Sequence, residues 1–427
     1  MVRHDAGPGL RVRDAAIRVF DLALKQGMTW MRFVKLLVAG MLAGTAIAPA
    51  SALTFHLTDT GGAGAGTQAR SGFEAAAAYW SSVLKDNVTV NLNIGFSSLG
   101  AGILGSTGSA RSVLSMGQTY NALGHDITSK LDQKAVAGLQ PLSPSALGPG
   151  IGSVAVRTNA FNATNNGYVD TATRLDNDHG VDNSALAVTT ASAKAMGLTT
   201  DVSGTPINYA ATDGSITFSN LFAFDFNPMN GIDALSYDFI GVAIHEIGHA
   251  LGFVSGVDGF DAFTGTTGGT LENFVVSSQL DLFRYNAAGE LDWSTQAVPF
   301  FSLDGSTQLF GNSRFSTGVN NGDGNQASHW KDSAAGAPQL GILDPTSGRG
   351  QMQAITALDL AAFDAIGWDI AFNPLDHGNY RFSTARAYAA FNGLAVPEPA
   401  TWVLMIGGFG LVGGALRRQR RTGYATA

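Results

Sequence analysis

Two histidines four residues apart with a glutamate beside the first, in the run His245-Glu246-Ile247-Gly248-His249, are the side chains here whose types and spacing could do chemistry. On a helix, residues four apart differ by only about 40° and lie about 6 Å apart along the axis. Both imidazoles can therefore reach one tetrahedral ion. Glu246 points roughly 100° away from His245, which suits a carboxylate acting on water beside the ion better than a direct ligand. The chemistry is hydrolysis, with a metal such as zinc and Glu246 as general base. Composition argues against accident, because 8 His and the few Glu of the 427 residues give about 0.002 chance matches per chain. The bland reading, a helix with ordinary core or surface histidines, is weakened by the context. Asp238 can cap the helix, Phe239, Val242, Ile244, Ile247 and Leu251 make it apolar, and buried imidazoles need partners.

The elements that must position this helix are legible in part. Residues 73–84 read as an amphipathic helix with Phe73 and Trp80 inward, and 88–96 alternate as a half-buried strand. The Gly/Ser/Ala-rich stretch 100–150 holds two short helices, and 184–198 run from a strand into a helix ended by Gly197. Residues 214–226 predict a strand at the sheet edge over the site, able to bind an extended peptide by β-addition. Further strands are expected over 277–285 and 296–308, and Thr356 caps a helix over 357–366 that Gly367 ends. No internal repeat is present. The fold class is α+β: an N-terminal twisted sheet plus helices, the active-site helix, and a loop-rich C-terminal subdomain closed by a helix.

Hydrophobic residues at 45% and charged residues at 14% allow a sizeable core. The chain has 54 glycines, as suits a loop-rich exported protein. With no cysteine, disulfides, thiolate ligands, a cysteine nucleophile and a cysteine-based latency switch are excluded. Any zinc ligand must be His or carboxylate. The net charge of −8 argues against a nucleic-acid partner, and more so because both basic ends look removable.

Both ends read as addresses. Arg32 and Lys35, the apolar run 36–48 and the Ala50-Ser51-Ala52 step have the form of a secretory signal peptide cleaved after Ala52. Residues 1–30 before it suggest an over-extended start, with Met28 or Met31 the true beginning, or else an unusually long basic leader. At the other end Pro397-Glu398-Pro399 precedes the apolar stretch 402–416 and the cluster Arg417-Arg418-Gln419-Arg420-Arg421. This order resembles the PEP-CTERM sorting signal of Gram-negative bacteria. The resemblance implies transient membrane contact, cleavage by an exosortase and an extracellular or cell-surface, polymer-matrix location. A plain C-terminal anchor is the alternative. The expected divisions are 1–52 for start and signal, 53–385 for the catalytic domain, and 386–427 for the linker and sorting segment.

A catalytic zinc usually takes three protein ligands, so one is missing. Six residues after His249, where a compact pattern would supply it, stands Ser255. Asp258, Asp261, Glu272, His329 and His377 are the downstream candidates. The stretches Ala327-Ser328-His329-Trp330, Gly341-Ile342-Leu343-Asp344-Pro345 and Ile366-Gly367-Trp368 resemble leishmanolysin-type metzincins. In that group a long insertion separates the helix-ending glycine from a third histidine in a His-Trp step, and a Met-turn follows. The resemblance implies a metzincin-like zincin fold from about Phe73 to Trp368 and one catalytic zinc on His245, His249 and His329. It puts Leu343 at the Met-turn position, as a hydrophobic floor in place of methionine. Asp258 and Glu272 remain alternatives for the third ligand. The run Asp176-Asn177-Asp178-His179-Gly180-Val181-Asp182 spaces oxygens as calcium loops do but lacks the closing glutamate, and is either a calcium (Ca2+) site or a solvated turn.

The expected function is a secreted zinc endopeptidase acting on a protein or peptide substrate. The rivals are a non-catalytic extracellular matrix or adhesion protein that keeps a zinc site, and a zinc hydrolase of a non-peptide amide. No Gly-x-Ser-x-Gly elbow supports a serine mechanism.

Overall fold

Four strands form the main sheet of the computed structural model, which describes residues 53–334 and 337–394. They are β1 (Thr54–Gly61), β2 (Thr89–Ser97), β3 (Gly105–Ser109) and β4 (Gly214–Ser219), in the order β1-β2-β4-β3. The alternation in β2 buries Val90, Leu92 and Ile94. β1 and β4 run parallel to β2, and β3 is antiparallel to β4. Parallel neighbours need a crossover. Between β1 and β2 it is helix α1 (Gln68–Val83), whose N-cap Thr67 accepts a hydrogen bond from the Arg70 amide at 3.1 Å.

Helix α1 buries Phe73 and Trp80 completely, as their spacing predicts. Its main neighbour is α2 (Phe239–Ala250), the helix carrying the two histidines. A Cβ on Gly72 would fall 2.4 Å from the Phe239 ring, so glycine is what lets the helices approach. Phe73 packs edge-on against Phe218 of β4 and Phe239 of α2, with centroids 5.0 and 5.2 Å away. The Trp80 indole N–H donates to the Ile244 carbonyl at 3.1 Å, pinning α2 one residue before His245. Being apolar nearly all round, α2 is buried nearly all round.

Both ends of α2 are closed by side chains. Asp238 accepts from the Gly241 amide at 3.0 Å as N-cap, and also from the Gln353 amide and the Thr384 hydroxyl. At the other end Gly252 takes φ +122°, and the Phe253 amide turns back to the Gly248 carbonyl at 3.1 Å. The Leu251 carbonyl accepts from Ser192 and from the Trp368 indole, both at 2.8 Å. Trp368 follows α3 (Ala357–Ala365), the closing helix, which starts at a Thr356/Asp359 capping box.

Several expectations are corrected. Residues 214–226 do not form the edge strand: β4 lies inside the sheet, and the edge is Gly105–Ser109. The two expected short helices are there, Met116–His125 and Lys130–Gly138, each with a capping box. The edge strand Gly105–Ser109 has no signal in the sequence because Gly-Ser-Thr-Gly-Ser has no apolar alternation; its pairing with β4 is imposed by context. Residues 277–285 and 296–308 form no long strands, and only Arg284–Tyr285 and Phe300–Phe301 pair. Ahead of that pair, Asp281 accepts from the Ser255 hydroxyl and the Gly256 and Ser278 amides, side-chain bonds that compete with a ladder. The chain continues into a helix at Thr384–Phe391 that buries Ala387 and Ala389.

The result is a mixed fold of helices and small sheets. Among the described residues no helix is long and apolar enough to cross a membrane. The signal segment in 1–52 and the stretch 402–416 with its arginines lie outside the described residues. Asp238→Ala removes a buried cap and two further hydrogen bonds, and is expected to cost about 2–4 kcal/mol. Denaturant melts of the purified protein check it; a loss under about 0.5 kcal/mol would show that α2 does not need this cap.

Candidate functional site

His245 and His249 project from the same face of α2, and His329 reaches them from the loop that follows the long connection. Their Nε2 atoms lie 3.0, 3.1 and 3.2 Å from one another. These contacts are not ordinary hydrogen bonds, because each ring spends its proton on the other nitrogen. His245 Nδ1 donates to the Ile342 carbonyl at 2.7 Å, His249 Nδ1 to Phe253 at 2.7 Å, and His329 Nδ1 to Gln326 at 3.2 Å. Three Nε2 lone pairs thus face one point.

Protonation would not relieve the crowding at neutral pH. Burial, and then the charge of His249, push His245 down to about 3, and burial pushes His249 down to about 4. Burial and the two neighbouring imidazoles hold His329 well below the usual range. The donor set fits zinc: neutral imidazoles, with separations close to the ~3.3 Å between nitrogens of a tetrahedral site with bonds of about 2.0–2.1 Å. The carbonyl partner on each second nitrogen is the outer support such ligands usually have.

Glu246 lies beside this triad without joining it. The Thr107 hydroxyl, from β3, is 2.7 Å from Glu246 Oε2 and 2.9 Å from its backbone oxygen. Ser109 of the same strand donates to the His249 carbonyl at 3.0 Å. A Cβ on Gly105 would fall 2.5 Å from Glu246 Oε1, so the absence of a side chain there makes the space the carboxylate uses. Burial pushes the Glu246 carboxyl up to about 7 against the Thr107 hydrogen bond. Gly105, Thr107, Glu246 and the three histidines line one open cleft of about 1160 Å³, whose walls include Tyr237, Val276 and Val319.

The loop bearing His329 is held by side chains. Asp258 accepts from the Ala327 amide at 2.6 Å and from the Ser328 hydroxyl, whose oxygen accepts from the Ser255 amide at 2.9 Å. Next to His329, Trp330 stacks on Phe315 at 5.0 Å, and its indole N–H donates to Asp359 at 2.8 Å. Asp359 also accepts from the Thr356 amide at 2.7 Å, Ile342 at 2.9 Å and Leu343 at 3.3 Å, fixing the carbonyl that orients His245. Leu343 is fully buried beneath α2, and a Cβ on Gly248 would meet its methyls at 3.3 Å.

All four expected site residues, His245, Glu246, His249 and His329, are therefore together. Asp258 supports the His329 loop, and Glu272 is engaged elsewhere, with Arg174 and Tyr168. His377 packs on Phe372. Gly105, Thr107 and Ser109 escaped sequence reasoning, since a Gly/Ser run carries no signal of its partners. Asp359 could have been found as the third residue after the cap Thr356.

Residues 395–421 match the PEP-CTERM protein-sorting motif. The match covers the segment read as a sorting signal, so exosortase-type machinery recognises the chain, which is exported to the surface or exterior of a Gram-negative cell. No similar curated protein and no similar solved structure was found.

Proposed function

We propose that this protein is a secreted zinc endopeptidase of metzincin-like architecture, with His245, His249 and His329 as the zinc ligands and Glu246 as the general base. The observation that carries the reading is the convergence of three unprotonated Nε2 atoms within 3.2 Å beside a buried carboxylate on an open cleft. Bound zinc would supply Lewis-acid polarisation of the scissile carbonyl and acidify a water. Glu246 takes the proton of the attacking water and hands it to the leaving amine. The Thr107 hydroxyl fixes one carboxylate oxygen, so the base is oriented before substrate arrives.

Substrate binding follows from the sheet. β3 is paired with β4 on one side and borders the cleft on the other, so its free edge can take an extended peptide by main-chain hydrogen bonds. A purely structural metal site has no use for a buried glutamate with a glycine-made space around it. That weighs against the matrix or adhesion reading.

Purified protein is expected to cleave casein or gelatin, to lose this activity to a chelator and to regain it with zinc. Glu246→Gln should keep its zinc and its melting temperature while kcat falls about 10²–10⁴-fold. Gly105→Ala, which pushes on the flexible end of Glu246 and not on backbone, should fold normally and lose on the order of 10²-fold. Wild-type turnover in Glu246→Gln would remove that residue from the mechanism.

Metal titration gives a separate check. His329→Ala should weaken zinc binding at least about 100-fold, and Asp258→Ala, which frees the His329 loop, about 10–100-fold. A full equivalent of zinc held at unchanged affinity by His329→Ala would displace His329 as third ligand.

A further inference from the structure

A second cluster of oxygens lies away from the histidines. One carboxylate oxygen from each of Asp176, Asp178 and Glu272 is within 4.8 Å of the others. Asp182 is a fourth member, held above the ordinary carboxylate range by burial first and then by the charges of Asp176, Glu272 and Asp178. One cation faces them. Arg174 binds Asp176 Oδ2 at 2.7 Å and also contacts Glu272. A single guanidinium against Asp176, Asp178 and Glu272 leaves an excess of negative charge even with Asp182 as the neutral acid.

The orphaned atoms point the same way. Asp176 is fully buried, and apart from the carboxyl of Asp182, which can donate only when protonated, its Oδ1 has no donor. Asn183 is equally buried, its amide nitrogen 3.5 Å from the Asp176 carbonyl, and its Oδ1 is also unpartnered. A buried oxygen without a donor is costly, more so when charged, and a cation satisfies it. We propose that Asp176, Asp178 and Glu272 form a calcium site.

Oxygen-only ligands select a hard cation, and a set drawn from two distant segments suits the flexible coordination of calcium better than the strict octahedron of magnesium. The run from Asp176 to Asp182 lacks the glutamate that closes a calcium loop, and Glu272 brings that carboxylate from a later segment. The neighbouring Leu271 amide donates to the Tyr168 hydroxyl at 2.9 Å, and Val275 and Val276 just beyond line the catalytic cleft. The ion would tie one wall of that cleft to the strand Tyr168–Asp176.

Isothermal titration with calcium chloride, on the purified chain freed of metal and reloaded with one equivalent of zinc, tests this. One calcium per chain is expected, half-saturating at about 0.1–1 mM, with a rise in Tm and with magnesium at least about tenfold weaker. Asp178 is exposed, so Asp178→Asn should fold as wild type and bind calcium at least about tenfold more weakly; Glu272→Gln should do the same. His329→Ala should keep the full calcium response, which separates this site from the histidine cleft and from any failure of the peptidase reading. No saturable heat and no Tm shift up to about 10 mM calcium, or unchanged affinity in both carboxamide variants, would overturn the site and leave Arg174 and a proton on Asp182 as its charge balance.

Discussion

Three neutral imidazoles whose lone pairs meet at one point repel one another unless a cation lies between them, and much of the chain is arranged to hold them there. Each ring is set by a carbonyl from a different place: the turn after α2, the loop at Ile342, and the chain just before His329. These carbonyls fix the tautomers, which turns every Nε2 inward. Under the zinc reading, part of the energy of metal binding therefore stabilises the fold. Without an ion the same geometry is a local cost, carried by the packing of α2 against α1 and the sheet.

Buried carboxylates do the work that disulfides do in many exported proteins, in a chain with no cysteine. Asp359, Asp281 and Asp258 each gather backbone amides or hydroxyls from separate segments. Asp261 similarly holds the amides of Asn320 and Asn321 at 2.9 and 2.6 Å. Charge-assisted bonds of this kind are worth about 1.5–3 kcal/mol each, but burying the charge offsets much of that. What they add above all is one definite loop path. That path decides where His329 and the Ile342 carbonyl sit, which regular secondary structure does not do in this half of the molecule.

The parts of the structure legible in the sequence are those where a local pattern and its tertiary use coincide. Helix α1 was readable from Phe73 and Trp80, β2 from its alternation, and the ends of α2 and α3 from Asp238, Gly252, Thr356 and Gly367. His245, Glu246 and His249 were readable because one helix fixes their relation. His329 was reached through a family resemblance, since no short-range rule connects it to α2. The long connection misled because its apolar residues 277–285 alternate like a strand while Asp281 diverts the backbone into side-chain hydrogen bonds. The edge strand was misplaced because β4, with Ile216 and Phe218 buried on one face, has the stronger strand pattern and is for that reason inside the sheet.

The composition of β3 makes physical sense only beside α2. Side chains two apart on a strand share a face, and at positions 105, 107 and 109 that face is turned to the helix. Position 105 must be empty, because any Cβ would meet the Glu246 carboxylate. Positions 107 and 109 carry short hydroxyls that bond to Glu246 and to the His249 carbonyl. An apolar residue at 107 would leave the Glu246 carboxylate unoriented, and one at 109 would leave the His249 carbonyl without its hydroxyl donor. A Gly-Ser-Thr-Gly-Ser run that looks like a linker is thus a strand whose side chains were given up to the helix. Its outer backbone edge borders the cleft.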